Sequence, residues 1–262
     1  MSASPDLAAL ATTEDEFLGG TLKMRQPATG YRAGLDAVLL AAACPAPTGL
    51  GGRVLDCGSG VGVVGLAAAR RCPGLRVTLI ERDPLLAALA VGNARANALK
   101  DRCRVITADL MQPLSKIAAL AAETNSFDHV LANPPYYAHG TGTRAADPLK
   151  DGAHAMPPES IEPWVRFAAA MARDGGSLTM IHRADALPEV LAALSRRFGA
   201  LRIMPLHPRD QMPASRILIQ GIKGNRAALH ILPGRSLHGA GAHSFTAEFD
   251  AILRSGAALD WG

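Results

Sequence analysis

The tetrapeptide Asn133-Pro134-Pro135-Tyr136 follows directly on the apolar run 127–132, and its residue types describe a way of handling an amino group. Two consecutive prolines remove two backbone donors and fix two φ angles. A strand must therefore end there, with the carbonyls of Asn133 and Pro134 left as rigid acceptors. An exocyclic NH2 needs two such acceptors. With the Asn133 side-chain oxygen on one hydrogen and a backbone carbonyl on the other, the nitrogen lone pair is drawn out of conjugation and aimed at an electrophilic methyl group. Tyr136 adds a ring face on which a planar target stacks, and Tyr136→Phe is tolerated if that stacking dominates. For an isolated Asn-Pro-Pro, a plain strand-ending turn is the competing reading.

A second constellation precedes it. After Val54-Leu55 comes Asp56-Cys57-Gly58-Ser59-Gly60-Val61-Gly62, an acid followed by alternate glycines that open into a helix at Val63. Residues 60–65 also spell G-x-G-x-x-G, with Glu81 about twenty residues on, as in the dinucleotide fingerprint. Two features oppose a nicotinamide enzyme. Asp56 is ill placed beside a pyrophosphate and well placed for an ammonium, and Asn-Pro-Pro-Tyr has no role in hydride transfer. S-adenosylmethionine carries that ammonium and no phosphate. Its chemistry sets the expected contacts: Gly58, Gly60 and the neighbouring amides of Ser59 and Gly62 approach the methionine part, and Asp56 faces its amino group. Glu81, with Arg82 beside it, accepts the ribose hydroxyls, and Asp109 accepts from the adenine amino group. A solvated strand-end acid at Glu81 and an N-cap at Asp109 are the plainer readings.

These residues need a frame. From Gly52 onward, apolar strand-like runs alternate with Ala/Leu-rich helical stretches, which is the pattern of successive βα units in an α/β Rossmann-like sandwich. Seven strands are expected, at 53–57, 76–81, 104–107, 127–132, 177–181, 201–205 and 216–221. Helices are expected around 62–71, 84–98, 161–173 and 186–198, with Gly175-Gly176 ending the third and Pro84 in a first turn. Residues 1–48 form an N-terminal extension and lid, and 49–262 the catalytic domain. The polar interval 137–158 is expected to be a substrate loop.

The 262 residues carry a net charge of +4, which is permissive for a polyanionic partner without specifying one. Four irregularly spaced cysteines without a C-x-x-C pair suit reduced core thiols in a cytoplasmic protein. The eight histidines lack metal-ligand spacing, so no metal is expected and none is assigned to catalysis. No apolar run approaches the ~20 residues of a membrane span, and no secretory signal is read at the start.

Taken in order, the glycine run, Glu81, Asp109 and Asn133-Pro134-Pro135-Tyr136 resemble the class I S-adenosylmethionine-dependent methyltransferases, in particular the amino-methylating branch. The stretches Leu18-Gly19-Gly20 to Gln26-Pro27, 30–40 and Ala214-Ser215-Arg216-Ile217-Leu218-Ile219 further resemble the bacterial tRNA1(Val) adenine-N6 methyltransferases. That resemblance implies a tRNA substrate methylated next to the anticodon, and places Arg32 and Asp36 near cofactor or target. Arg32 reads equally as a phosphate contact. Lys23, Arg25, Arg144 and Lys150 are the candidate RNA contacts. The rivals are a protein-glutamine N5 methyltransferase, which presents the same NH2, another RNA or DNA amino-methyltransferase, and a noncatalytic RNA-binding protein.

Overall fold

A computed structural model describes residues 10–30, 32–46, 51–136, 161–239, 241 and 244–262. Tyr31, the interval 137–158 and the candidate RNA contacts Arg144 and Lys150 lie outside the described residues.

The chain opens with a hairpin, β1 (Thr12–Phe17) and β2 (Leu22–Pro27), then α1 (Leu35–Ala42). The βα alternation follows as β3 (Gly52–Cys57), α2 (Val63–Arg71), β4 (Leu75–Glu81), α3 (Pro84–Ala96) and β5 (Cys103–Thr107). A crossover holding a 3-10 turn (Leu114–Lys116) and the four-residue α4 (Ala118–Ala121) leads to β6 (Phe127–Ala132). Next come α5 (Ile161–Met171), β7 (Ala172–Arg183), α6 (Leu187–Leu194), β8 (Phe198–His207) and β9 (Arg216–Lys223). Two short strands, β10 (His230–Ile231) and β11 (Arg235–Ser236), precede α7 (Ala247–Ser255).

The central sheet runs β10-β8-β9-β7-β6-β3-β4-β5, with β11 also on β8. Strands β5, β4, β3, β6 and β7 pair in parallel, whereas β9 is antiparallel to both β7 and β8. From β3 the chain steps outward through β4 to β5 and then returns to the other side of β3 as β6. That reversal makes a crevice at the carboxyl ends of β3 and β6, where doubly wound sheets bind ligands. The strands are apolar because both faces are covered: Val54, Leu55, Leu79, Ile80, Val130 and Leu131 are buried.

The seven expected strands are present, with differences at the edges. The sheet has nine strands, because the two-residue β10 and β11 add to β8. Helix α5 stops at Met171, and Gly175, at φ 73°, lies inside the long β7 where the pairing with β6 slips register. Phe198 begins β8 and does not end a helix. The chain before residue 48 is also more than an appendage. Leu22, Met24, Leu39 and Leu40 are fully buried and belong to the same hydrophobic cluster as α2 and β4.

The hairpin is held in an unusual way. Asn93 of α3 accepts from the Arg25 amide (2.8 Å) and donates to the Arg25 carbonyl (3.0 Å). One turn later Asn97 does the same at Lys23, accepting from its amide at 2.9 Å and donating to its carbonyl at 2.6 Å. Four helical residues rise about 6 Å and two strand residues about 6.8 Å, so the side chains of α3 match the repeat of β2. The outer edge of β2 is thereby paired as a neighbouring strand would pair it.

Candidate active site

Cys57, the last residue of β3, stands in register with Ile80 of β4 on one side and Ala132, the last residue of β6, on the other. Gly58 and Asn133 are therefore the first residues beyond two neighbouring strands, which lie about 4.8 Å apart. The glycine run and the Asn-Pro-Pro-Tyr turn leave the sheet side by side.

The glycine loop is built by close approach. Gly58 has φ 66°, and a Cβ there would run into the indole of Trp164 on α5. Gly60, at φ 55°, turns its amide to the Glu81 carboxylate at 2.8 Å. The other Glu81 oxygen accepts from the Asp83 amide at 2.9 Å, and Asp83 caps α3 through Leu85 (2.8 Å). Burial raises the Glu81 carboxyl above its ordinary value, opposed by the amides of Asp83 and Gly60. Asp56 is 1 % exposed, with one carboxylate oxygen on the Gly65 amide in the first turn of α2 at 2.9 Å. Burial pushes its pKa up to about 7, the Gly65 bond working the other way.

Beyond β6, Pro134 is buried while Asn133, Pro135 and Tyr136 are half-buried. The Tyr136 hydroxyl donates to Asp36 Oδ2 on α1 at 2.9 Å, and Arg216 Nε at the start of β9 donates to the same oxygen at 2.9 Å. The Arg216 guanidinium lies 5.2 Å from the Tyr136 ring centre. His182, near the end of β7, meets the ring at 5.0 Å with the planes 69° apart. His182 is 6 % exposed, and its Nδ1 has no partner among the described residues. Burial lowers its pKa, which favours the neutral imidazole.

The candidate residues divide accordingly. Asp56, Gly58, Ser59, Gly60, Gly62 and Glu81 meet at the crevice, and Asp36 reaches the acceptor turn through Tyr136. Asp109 Oδ1 accepts from the Met111 amide at 2.9 Å, which is the local turn expected of its plainer reading. Arg82 is exposed beside Glu81. Arg32 engages the hairpin: both Asp15 oxygens (2.7 and 2.6 Å), the Thr13 hydroxyl and the Pro27 carbonyl. Lys23 pairs with Glu16 at 3.6 Å, and Arg25 Nε donates to Thr12, both on the exposed hairpin surface. Sequence reasoning assigned no role to Arg216, His182, Asn93 or Trp164. Arg216 lay within a stretch read as a strand and used for resemblance, with no role for its side chain, and a histidine without ligand spacing carries no signal of its own.

The loop fits an S-adenosylmethionine group. Three positive-φ glycines bring backbone close to the crevice, the Glu81 carboxylate stands at its edge as an acceptor, and the buried Ser59 hydroxyl has no partner among the described residues. A family model described as "methyltransferase small domain" matches residues 34–205. The chain belongs to this methyltransferase family. Similar to it is a "tRNA1(Val) (adenine(37)-N6)-methyltransferase" of Porphyromonas gingivalis, 30 % identical, with 74 % of this chain and 75 % of that protein covered. A "release factor glutamine methyltransferase" of Gloeobacter violaceus is 27 % identical over 64 % of this chain and 58 % of its own. Among solved structures, a "predicted O-methyltransferase" of Agrobacterium tumefaciens superposes with a TM-score of 0.70. It is 32 % identical, with 86 % of this chain and 98 % of that chain covered. The protein is thus an S-adenosylmethionine-dependent methyltransferase with the Rossmann-like fold of its class. Among the described residues no group of side chains is arranged to hold a metal ion, and no helix is long and apolar enough to cross a membrane.

Proposed function

We propose that this methyltransferase methylates an exocyclic amino group, adenine N6 in tRNA beside the anticodon, and so works in the cytoplasm where tRNA is modified. The observation that carries the reading is the register of β3 with β6, which sets Asn133 next to the glycine loop. The P. gingivalis relative bears that activity in its name and supports the choice of target. When bound, S-adenosylmethionine supplies an electrophilic methyl carried on a sulfonium. The chain's own residues then orient the acceptor. The Asn133 side-chain oxygen and a carbonyl of the Asn133-Pro134 pair take the two amino hydrogens, and these acceptors stabilise positive charge as it grows on nitrogen. No general base is needed before that charge appears, because the proton leaves afterwards to water. Glu81 accepts the ribose hydroxyls, Asp109 the adenine amino group of the cofactor, and Asp56 lies toward the methionine ammonium.

The second reading, glutamine N5 methylation, has the G. violaceus relative in its favour. It uses the same two acceptors. Incubation with methyl-labelled S-adenosylmethionine and unmodified bulk tRNA, followed by nucleoside mass spectrometry, separates the two. Labelled N6-methyladenosine supports the proposal. Label confined to a release-factor glutamine, supplied in parallel, replaces it with the second reading.

A further inference from the structure

At the other end of the sheet, where β3, β4 and β5 begin, a cavity of about 350 Å³ is lined by Arg53, Arg76, Lys100, Arg102 and Arg104. Among the described residues its only lining acids are Asp101 and Glu123, so these side chains carry a net charge of +3, against +4 for the whole chain. Nearly all the protein's surplus charge is focused here, and the rest of the molecule is close to neutral.

The parallel register forces the crowding. Arg53 stands directly opposite Arg76, and Arg104 opposite Thr78, two residues further along β4 on the same face. Like charges directly opposite on a sheet repel and destabilise it. One counter-charge is built in: Glu123, from the short crossover before β6, pairs with both Arg53 and Arg104. Arg53 is also braced over the Phe127 ring at 4.7 Å, and Arg102 is committed to the carbonyls of Cys72 and Leu75. Arg76 and Lys100 are exposed at the rim, where Arg76 makes a long bond to the Asp101 carbonyl at 3.4 Å. A concave, braced set of cations with too few acids is suited to phosphate oxygens.

We propose that this cavity is a second RNA contact, which takes backbone phosphates of the tRNA body while the anticodon loop occupies the crevice at the opposite ends of the strands. The proposal rests on the tRNA reading above. The strands between the two sites are six to seven residues long, or about 20 Å, so a folded tRNA can engage both and an isolated anticodon stem-loop only the crevice.

The test compares wild type with Arg76→Gln/Lys100→Gln, both at exposed positions, using transcribed full-length tRNA and its isolated anticodon stem-loop. Arg196→Gln/Arg226→Gln, which changes the net charge equally and touches no part of the cavity lining, is the control. The expected result is about a tenfold weaker full-length tRNA complex for the cavity variant alone. Its slope of log affinity against log salt should be smaller by about 1 to 2, with stem-loop binding and stem-loop turnover unchanged. Equal losses on both RNAs, equal losses in the control, or no loss at all overturn the proposal. So does inorganic phosphate or pyrophosphate binding that the variant abolishes while RNA affinity is untouched. If wild type methylates no tRNA, the functional reading falls and takes this one with it; wild-type methylation with an unchanged variant removes the cavity alone.

Discussion

Asp36 Oδ2 accepts two hydrogen bonds at once, from the Tyr136 phenol and from the Arg216 guanidinium, and that shared atom ties two distant parts of the chain, α1 and β9, to the Asn-Pro-Pro-Tyr turn. Stacking alone would leave Tyr136→Phe harmless. Because the hydroxyl is spent on Asp36, Tyr136→Phe is expected to lower kcat about tenfold, with S-adenosylhomocysteine affinity unchanged in calorimetry, since a hydrogen bond to a charged group is worth about 1.5–3 kcal/mol. Asn133→Ala is expected to cost more, about a hundredfold in kcat, again at constant cofactor affinity. A parallel loss of cofactor binding in either variant would contradict the division between loop and turn. Asp56 makes a separate prediction. Its folded pKa, about 7, lies above the ordinary 3.8, so the folded state holds the extra proton between those values. The contribution to stability is therefore full below about pH 4 and is lost as pH rises toward 7. Asp56→Asn, which keeps an acceptor for Gly65, should flatten thermal stability across that window. If Asp56 meets the cofactor ammonium, binding near pH 6.5 should release a proton, read from calorimetry in two buffers, and Asp56→Asn should abolish the release.

Among elements, the most informative contact is α3 against the hairpin. Asn93 bridges Arg25 on β2 and the Val61 carbonyl inside the glycine loop (3.0 Å), so one side chain joins the N-terminal segment to that loop. Asn93→Leu leaves an amide and two carbonyls without that partner and should destabilise the fold by about 2–4 kcal/mol in urea unfolding. It should also weaken cofactor binding. Asn97→Ala touches only Lys23 and the helix itself, so it should destabilise without changing cofactor affinity. These elements mark the limit of what the sequence shows. β3, β4 and β6 were legible because strands buried on both faces are continuous apolar runs. β1, Thr-Thr-Glu-Asp-Glu-Phe, is a polar strand with no apolar alternation, and the hairpin it makes with β2 is held at the outer edge of β2 by a helix some seventy residues away, which no local pattern reveals. The glycine loop and Asn133 were legible for the opposite reason: their chemistry demands particular residue types in a short span. Arg216 and His182 reach Tyr136 only through sheet pairing, so nothing near them in sequence pointed to the site.

For the whole molecule, the sheet order places the glycine loop, Glu81 and the Asn133-Pro134-Pro135-Tyr136 turn at the carboxyl ends of β3, β4 and β6, in one parallel layer. A ligand seated there bridges strands that the fold already holds rigidly, so binding should register as global stability. At a hundred times its Kd, S-adenosylhomocysteine is expected to contribute about 2.7 kcal/mol, a rise in Tm of roughly 5–10 °C for a chain of this size. Asn133→Ala should show the same rise, and Glu81→Ala a much smaller one. A wild-type Tm that ignores the ligand at that excess would show that the folded chain does not bind it, and a Glu81→Ala rise equal to wild type would remove Glu81 from the site.

The indole of Trp164 packed on Gly58 has a practical consequence in optics. The chain has two tryptophans, and the second, Trp261, is a buried residue bonded to the Ala43 carbonyl. Replacing Trp261 by Phe leaves a single tryptophan, in contact with the glycine loop proposed to hold the cofactor. Its emission would report cofactor arrival in real time without an attached dye, and stopped-flow traces could time the loop's response separately from turnover.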